Sequence, residues 1–543
     1  MRGKILLVAG ALALGALYAP PRVLPQAAHA ADDTPADWER NFESTLDRSV
    51  KELERLAKWC EKNHLEWTAN YVRRKSFAFR PDDEELRAYF GYEKWEDGRW
   101  RQNDLKRDEF RSIIDEDDPE SGKFPKNIVK ANTKIAGWFK GLASKAKKAG
   151  EESGDAAWAP LAAKAWERVL SVDPDGKYAK QAHVALDHPK FDGEYVSPFK
   201  LKFLENRKSR KQAGEAEAAK AYDVEQVPAD GNIPDSGMTG FGAKAELMAI
   251  NTTHPQEVAD RLVVWAMRGT NDIIEIYGFP EAVRERLGLR KMDIVNRGDN
   301  KAQLRQYLEK GAKWPEAQIT KYLEYFGGMG NVGPGCYVSM NGPGADADDS
   351  VMHRFGHSTV RAAQSMALSD LGARLGSMSN QVENWLAESI AYDCTRRLTG
   401  NTLTTCGEFG RYGNNMTPKP GQDLWIMLAR RQVEMDDDVE LNRLWKLTLT
   451  DIRGPETVKG YALLQFLFEH DPALAQKFIW HALAHGTPAA VVDVYGDWLG
   501  TPKPKEEDAT AESYAKGAFN QPEYQAAMNA LDDRYREWII KFW

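Results

Sequence analysis

The segment Val351–Ala362, VMHRFGHSTVRA, places two histidines four residues apart on what reads as a helix. Residues i and i+4 share one helical face, so His353 and His357 can converge on a single metal ion. Spacing by itself carries little, because the chain has ten histidines and a second HxxxH in HALAH, His481 to His485. A third ligand separates the two pairs. Downstream of the first, QVENWLAESIAYD reads as an amphipathic helix carrying Glu388. Two histidines and a carboxylate form a three-ligand zinc set that leaves the fourth position for water. Nothing comparable follows HALAH before the chain enters GTPAAVVDVYGDWLG, so His481 and His485 read as packing or surface residues. A metal-free reading stands beside the zinc reading: His353 and His357 bond to core acids such as Glu388, or Glu388 pairs with Arg354.

The order of these pieces resembles the gluzincin metallopeptidases, in particular the peptidase-MA-like proteins. That family carries HExxH, then a W-L-x-E-G-x-A helix whose glutamate is the third zinc ligand; here the matching segments are HRFGH and WLAESIA. A later helix with a tyrosine and an apolar run is matched by KGYALLQFLFEHDP (459–472), and a closing tryptophan-rich helix by DDRYREWIIKFW. The resemblance implies zinc as cofactor, held by His353, His357 and Glu388. It also implies a hydrogen bond from Tyr461 to a tetrahedral oxyanion; simple helix packing is the other reading of Tyr461.

Two positions depart from the family pattern. Ser389 replaces the glycine, and Arg354 replaces the glutamate that takes a proton from zinc-bound water. Arginine, with a pKa above ~12, cannot accept that proton. General-base help is worth roughly 10²–10⁴ in rate, about 3–5 kcal/mol of barrier, so the standard mechanism fails. Arg354 also sets a positive charge beside the metal position. The expectation is a non-catalytic, peptide- or protein-binding descendant. Its alternatives are an active zinc hydrolase using another base, such as Glu383 or an acid of DADD, and a metal-free structural module. The acidic runs DADDS and EMDDDVE (434–440) read as solvated loops at helix N-termini rather than calcium sites.

The elements that position these residues fall into four segments. Residues 1–30 have the layout of an export signal: Arg2 and Lys4, an apolar core from Ile5 to Tyr18, and a small-x-small site at Ala28-His29-Ala30. Export implies a periplasmic, envelope or extracellular location. Three positive charges and no acid leave with that segment, taking the formal net charge from −8 to −11, which argues against a nucleic-acid partner. No later run approaches the length of a membrane span.

Residues 31–223 read as helical. They contain a weak repeat in which FRPDDEELRAYFGYEKWEDGRW (79–100) aligns with VDPDGKYAKQAHVALDHPKFDGEY (172–195), pairing Trp100 with Tyr195. The stretch AAKAWERVLSVDPDGKYAKQAHVAL resembles a tetratricopeptide helix pair, which implies a partner-binding scaffold; a generic helical hairpin is the alternative. Residues 224–242, rich in Pro, Gly and Asp, read as a linker.

Residues 243–543 read as the gluzincin-like domain. AELMAINTT, KMDIVNR and GCYVSMNG are its expected strands, with helices opening at Pro255 and Asp299 between them. The expected fold class is α+β: a helical N-terminal region, then a small sheet followed by a mostly helical C-terminal half. Of four cysteines, Cys394 and Cys406 bracket a turn-rich stretch and are the preferred disulfide pair.

Overall fold

The computed structural model describes residues 34–94, 98, 100–102, 122–246, 248–288, 292–296, 301–325, 331–332, 336–339, 356–360, 362–364, 366–367, 384–399, 424–434, 438–447, 451–452, 454–501 and 522–542. The chain is mostly helical with small sheets, in keeping with the α+β expectation. The export segment, His353, Arg354, Glu383, Cys406 and the DADDS run lie outside the described residues. Among those described, no helix is long and apolar enough to cross a membrane.

The N-terminal region begins with α1 (Pro35–Lys62), set by a capping box in which Thr34 Oγ1 accepts from Asp37 N and the Asp37 carboxylate accepts from Thr34 N. Its buried stripe of Trp38, Phe42, Leu46 and Leu53 shares one core with Ile135 and Phe139 of the long helix that follows. Trp38 Nε1 donates to Leu142 O at 3.0 Å, which satisfies the one polar atom of a buried indole. Helix α2 (Glu66–Arg74) also packs on α1.

Both copies of the sequence repeat take the same form, a short helix followed by a two-stranded hairpin. The first is α3 (Glu84–Tyr89) with β1 (Tyr92–Lys94) and β2 (Trp100–Gln102). Between the copies run α4 (Phe124–Ser153) and α5 (Trp158–Val172), which fold back on one another after Gly154 takes the left-handed conformation. The second copy is α6 (Ala179–Ala185) with β3 (Lys190–Phe191) and β4 (Glu194–Tyr195). In the first copy the Arg87 guanidinium lies 5.9 Å from the Trp100 ring; in the second, His183 stacks on Tyr195 at 5.9 Å. The expected helix pair is thus α5 and α6, although α6 runs only seven residues before the chain turns into its hairpin.

Helix α7 (Pro198–Ala219) falls inside the stretch assigned by sequence to the N-terminal region, yet it packs elsewhere. Its Phe203 joins the large C-terminal core. The reason is electrostatic as well as apolar, because Arg207 and Arg210 reach buried acids of that core. The stretch 224–242 is likewise no free linker. Glu225–Pro228 forms β5, and Asn232–Asp235 a short helix whose Ile233 is fully buried. Pro and Gly punctuate this segment because it turns tightly, not because it lacks partners.

The six-stranded sheet runs in the order β5-β6-β7-β8-β10-β9. Strands β5, β6 (Phe241–Ala245) and β7 (Met248–Thr252) form an antiparallel meander. AELMAINTT, expected as a strand, supplies β7 from Met248 onward, while Ala245 ends β6 and Glu246, at φ +47°, lies in the turn between the two strands. Parallel pairing continues through β8 (Met292–Asn296) to β10 (Cys336–Ser339), and β9 (Asn331–Val332) closes the edge antiparallel. Helix α8 (Gln256–Tyr277) links β7 to β8 and covers β6 and β7. Strand β8 shows the alternation of a sheet covered on both faces: Ile294 enters the large core, and Val295 joins Leu304, Tyr307 and Ile319 on the other side.

The C-terminal half is built from α9 (Asn384–Thr399), α10 (Leu424–Glu434), α11 (Gly454–His470), α12 (Pro472–His485) and α13 (Pro522–Phe542). The two large cores meet at a small polar joint. Lys75, which follows α2, reaches Glu434 at the end of α10 at 3.5 Å, and Glu434 also accepts from Arg430 at 2.8 Å. Burial acts to raise the Glu434 pKa, but Lys75 and Arg430 overcome it and hold the group down at about 2. Asp438 is buried against Lys459 at 2.7 Å. Half-buried Glu434 and the buried Asp438 side chain are thus ion-pair partners, which corrects the solvated-loop expectation for that run.

Candidate functional site

Helix α9 is the centre of the C-terminal half. Residues 385–395 are all buried, packed by α7, α8 and α11. A helix clothed on every side is held in place along its length, and so are the polar groups it carries.

Its Glu388 meets the histidine segment. His357 Nε2 lies 3.0 Å from Glu388 Oε1, with side chains 6% and 3% exposed, so the pair sits away from bulk water. One residue earlier, Gly356 lets the two helices approach: a Cβ there would stand 3.0 Å from the Cα and Cβ of Ala391. Ala391 is three residues after Glu388 and so on the same face. The His357–Glu388 contact and the Gly356–Ala391 contact are therefore two consequences of one close helix crossing.

A zinc ion about 2.0–2.1 Å from each of two donors at a tetrahedral angle sets them roughly 3.3 Å apart. The observed 3.0 Å comes within a few tenths of an ångström of that, and it is also an ordinary hydrogen-bond length. Two of the three residues singled out as zinc ligands, His357 and Glu388, thus lie together; the third, His353, is outside the described residues. Among the described residues no group of three or more His, Cys, Asp or Glu is arranged to hold a metal ion.

Ser389 points its hydroxyl to Trp385 O at 2.6 Å. It abuts Gly460 of α11, where a Cβ would come within 2.6 Å of Ser389 Oγ. A glycine at 460 thus makes room for the Ser389 side chain. Next to it, Tyr461 is buried edge-on against Trp425, and its hydroxyl accepts from Arg396 Nη1 at 2.6 Å. Burial raises the Tyr461 pKa, with Arg396 pulling the other way. Arg396 follows Glu388 by eight residues, a rise of roughly 12 Å along α9.

The sequence reading missed the charged lattice behind this site. Asp393 Oδ2 accepts from Arg210 Nη2 at 2.6 Å, Arg397 Nε at 2.9 Å and Tyr277 OH at 2.5 Å. Its Oδ1 accepts from Gln465 Nε2 at 2.8 Å. Burial acts to raise the Asp393 pKa, but the two guanidiniums outweigh it and hold the group well below the usual carboxylate range. Asp272, paired with Arg397 at 2.5 Å, is pushed up by burial to about 6 against the pull of that arginine. Four helices, α7, α8, α9 and α11, are pinned at this one point. The available signal was the polar residues at 393, 397 and 465 inside otherwise apolar helices; which acid met which base was not readable from it.

The second histidine pair differs from its expectation in one respect. His481 Nε2 lies 2.7 Å from Asp493 Oδ2, and the His481 and His485 rings stand 4.3 Å apart. Asp493 belongs to VVDVY, within the GTPAAVVDVYGDWLG stretch that the chain enters after HALAH. Cys394 is a buried free thiol with Sγ 3.6 Å from Gly269 O, and its expected partner Cys406 lies outside the described residues. Burial, with Asp272 beside it, pushes that thiol far up, which makes it inert rather than reactive.

Comparison of the chain with family models, with curated proteins and with solved structures finds no match.

Proposed function

We propose that residues 243–543 act as a degenerate zinc-metallopeptidase-like domain of the gluzincin, peptidase-MA-like kind. In this reading the chain is exported and the domain holds a peptide or protein without cutting it. The observation that supports it most is the buried His357–Glu388 pair at 3.0 Å, on two helices whose close approach Gly356 permits. His353, His357 and Glu388 would hold the zinc. Bound there, the metal supplies Lewis acidity and lowers the pKa of a coordinated water toward ~7. The group that should orient that water and carry its proton to a leaving amine is missing, since Arg354 occupies the position. A guanidinium binds carboxylates well, in a two-pronged geometry, and transfers no proton. The α5–α6 helix pair, read as tetratricopeptide-like, would extend the binding surface.

The direct His357–Glu388 contact also favours a second reading, a metal-free module in which the two side chains satisfy each other. Elemental analysis and peptide turnover separate the readings. About one zinc per chain, lost in His357→Ala, with no peptide hydrolysis by the native protein, is the expected outcome. Activity appearing only in Arg354→Glu would strengthen it. Zinc-free native protein supports the structural module instead. Native hydrolysis abolished by His357→Ala would show another base at work and overturn the non-catalytic reading.

A further inference from the structure

A second close pair of metal-ligating side chains lies in the second copy of the repeat. His183 is on α6 and His188 follows it, and their Nδ1 atoms are 2.8 Å apart. The turn between them is tight: His188 N donates to His183 O at 3.0 Å, and Asp187 takes φ +52°. A non-glycine residue in the left-handed region costs free energy that the surrounding structure must offset. Here that conformation is what folds the second imidazole back onto the first. His183 is held from its other side by stacking on Tyr195.

We propose that His183 and His188 form a two-nitrogen chelate for a divalent transition-metal ion, with copper(II) the best fit. Two nitrogens about 2.0–2.1 Å from one ion and 2.8 Å from each other subtend roughly 90° at it. That is the cis angle of a tetragonal site, the geometry that copper(II) and nickel(II) prefer, and copper(II) stands highest in affinity among the first-row divalent ions. Both rings are half-buried, leaving room for water in the remaining positions. Ligation needs neutral imidazoles with the proton on Nε2. In the metal-free state one Nδ1 carries a proton to hydrogen-bond the other; on binding, that proton moves to Nε2 through solvent. Burial lowers the pKa of both rings, which keeps them neutral near pH 7. The charges that bear on the pair are Lys200, which opposes a cation, and Asp175 and Glu167, which favour one.

The test uses the purified full-length chain titrated with copper(II) sulfate, with bound metal read by equilibrium dialysis and its nitrogen ligands by electron paramagnetic resonance. The native protein should show a component split by two imidazole nitrogens. His183→Gln and His188→Gln should each remove that component and weaken the corresponding site by about 10²-fold, the scale on which a second tethered ligand raises affinity. A His481→Gln/His485→Gln variant should keep it. The turn is held by a backbone bond that neither glutamine disturbs, and far-UV circular dichroism verifies the fold of each variant. Unchanged stoichiometry and spectrum in both single variants, or loss of the component only when His481 and His485 are changed, would overturn the proposal.

Discussion

Replacing Asp393 by leucine removes the acceptor for two buried guanidiniums, a tyrosine hydroxyl and an amide at once. Arg397 keeps Asp272, and Arg210 keeps its bond to Gln465 Oε1 at 2.8 Å, so two positive charges are left facing one acid. Breaking a buried ion pair from one side costs about 3–5 kcal/mol, because the surviving charge stays desolvated. The side chain is 2% exposed, so solvent screening gives little relief. Arg210→Met is expected to cost a similar amount from the other side. The double variant restores charge balance, leaving Arg397 with Asp272 one to one. Its cost should therefore fall short of the sum of the single costs by roughly 2–3 kcal/mol. Urea denaturation followed by tryptophan fluorescence reports this well, since Trp385 and Trp425 are buried in the same core. Single costs that add to within about 0.5 kcal/mol of the double would refute the claim that these charges act as one unit.

Two further outcomes follow from the geometry. Glu434 sits near pKa 2 when folded, against 4.5 as the ordinary value, so its contribution is present above about pH 4.5 and is lost as pH falls toward 2. The lost contribution amounts to about 3 kcal/mol, and Glu434→Gln should flatten that part of the acid-denaturation curve relative to the native chain. Gly460→Ala should destabilise by about 1–3 kcal/mol through overpacking against Ser389 Oγ, measured by the same denaturation, and far less in a Ser389→Gly background. Equal costs in both backgrounds would mean that Ser389 is not the obstacle.

Periodicity made most of the helices readable. α8, α9, α11 and the closing α13 each carry a long apolar pattern, and β8 and β10 are short apolar runs that match their expected positions. Less legible were the features set by partners distant in sequence. AELMAINTT reads as one run although its first residue ends β6, because the turn residue Glu246 is not one of the usual signals for positive φ. The stretch 224–242 has a linker's composition and a sheet edge's pairing, and composition cannot report pairing. Helix α7 shows little apolar periodicity, and its place in the C-terminal core rests on Phe203 together with ion pairs that span 183 and 262 residues of sequence. The contact of His357 with Glu388 was anticipated from the order of motifs. Asp493 beside His481 was not, since a lone aspartate in an apolar stretch carries no spacing signal.

Helix α7 also sets a clock for the folding of this chain. It is made early, yet Arg210 waits for Asp393, and Arg207 waits for Glu469, 262 residues later. At ~5–20 residues per second the second wait lasts roughly 10–50 s of synthesis. Contacts of such long range also slow the final docking, because a large loop must close before they form. A helix that must stay soluble through that interval is better served by charge than by an apolar stripe. The lysines, arginines and glutamates of PFKLKFLENRKSRKQAGEAEAA suit that need. The residues that make α7 hard to place from its sequence are the ones that let it wait for its partners.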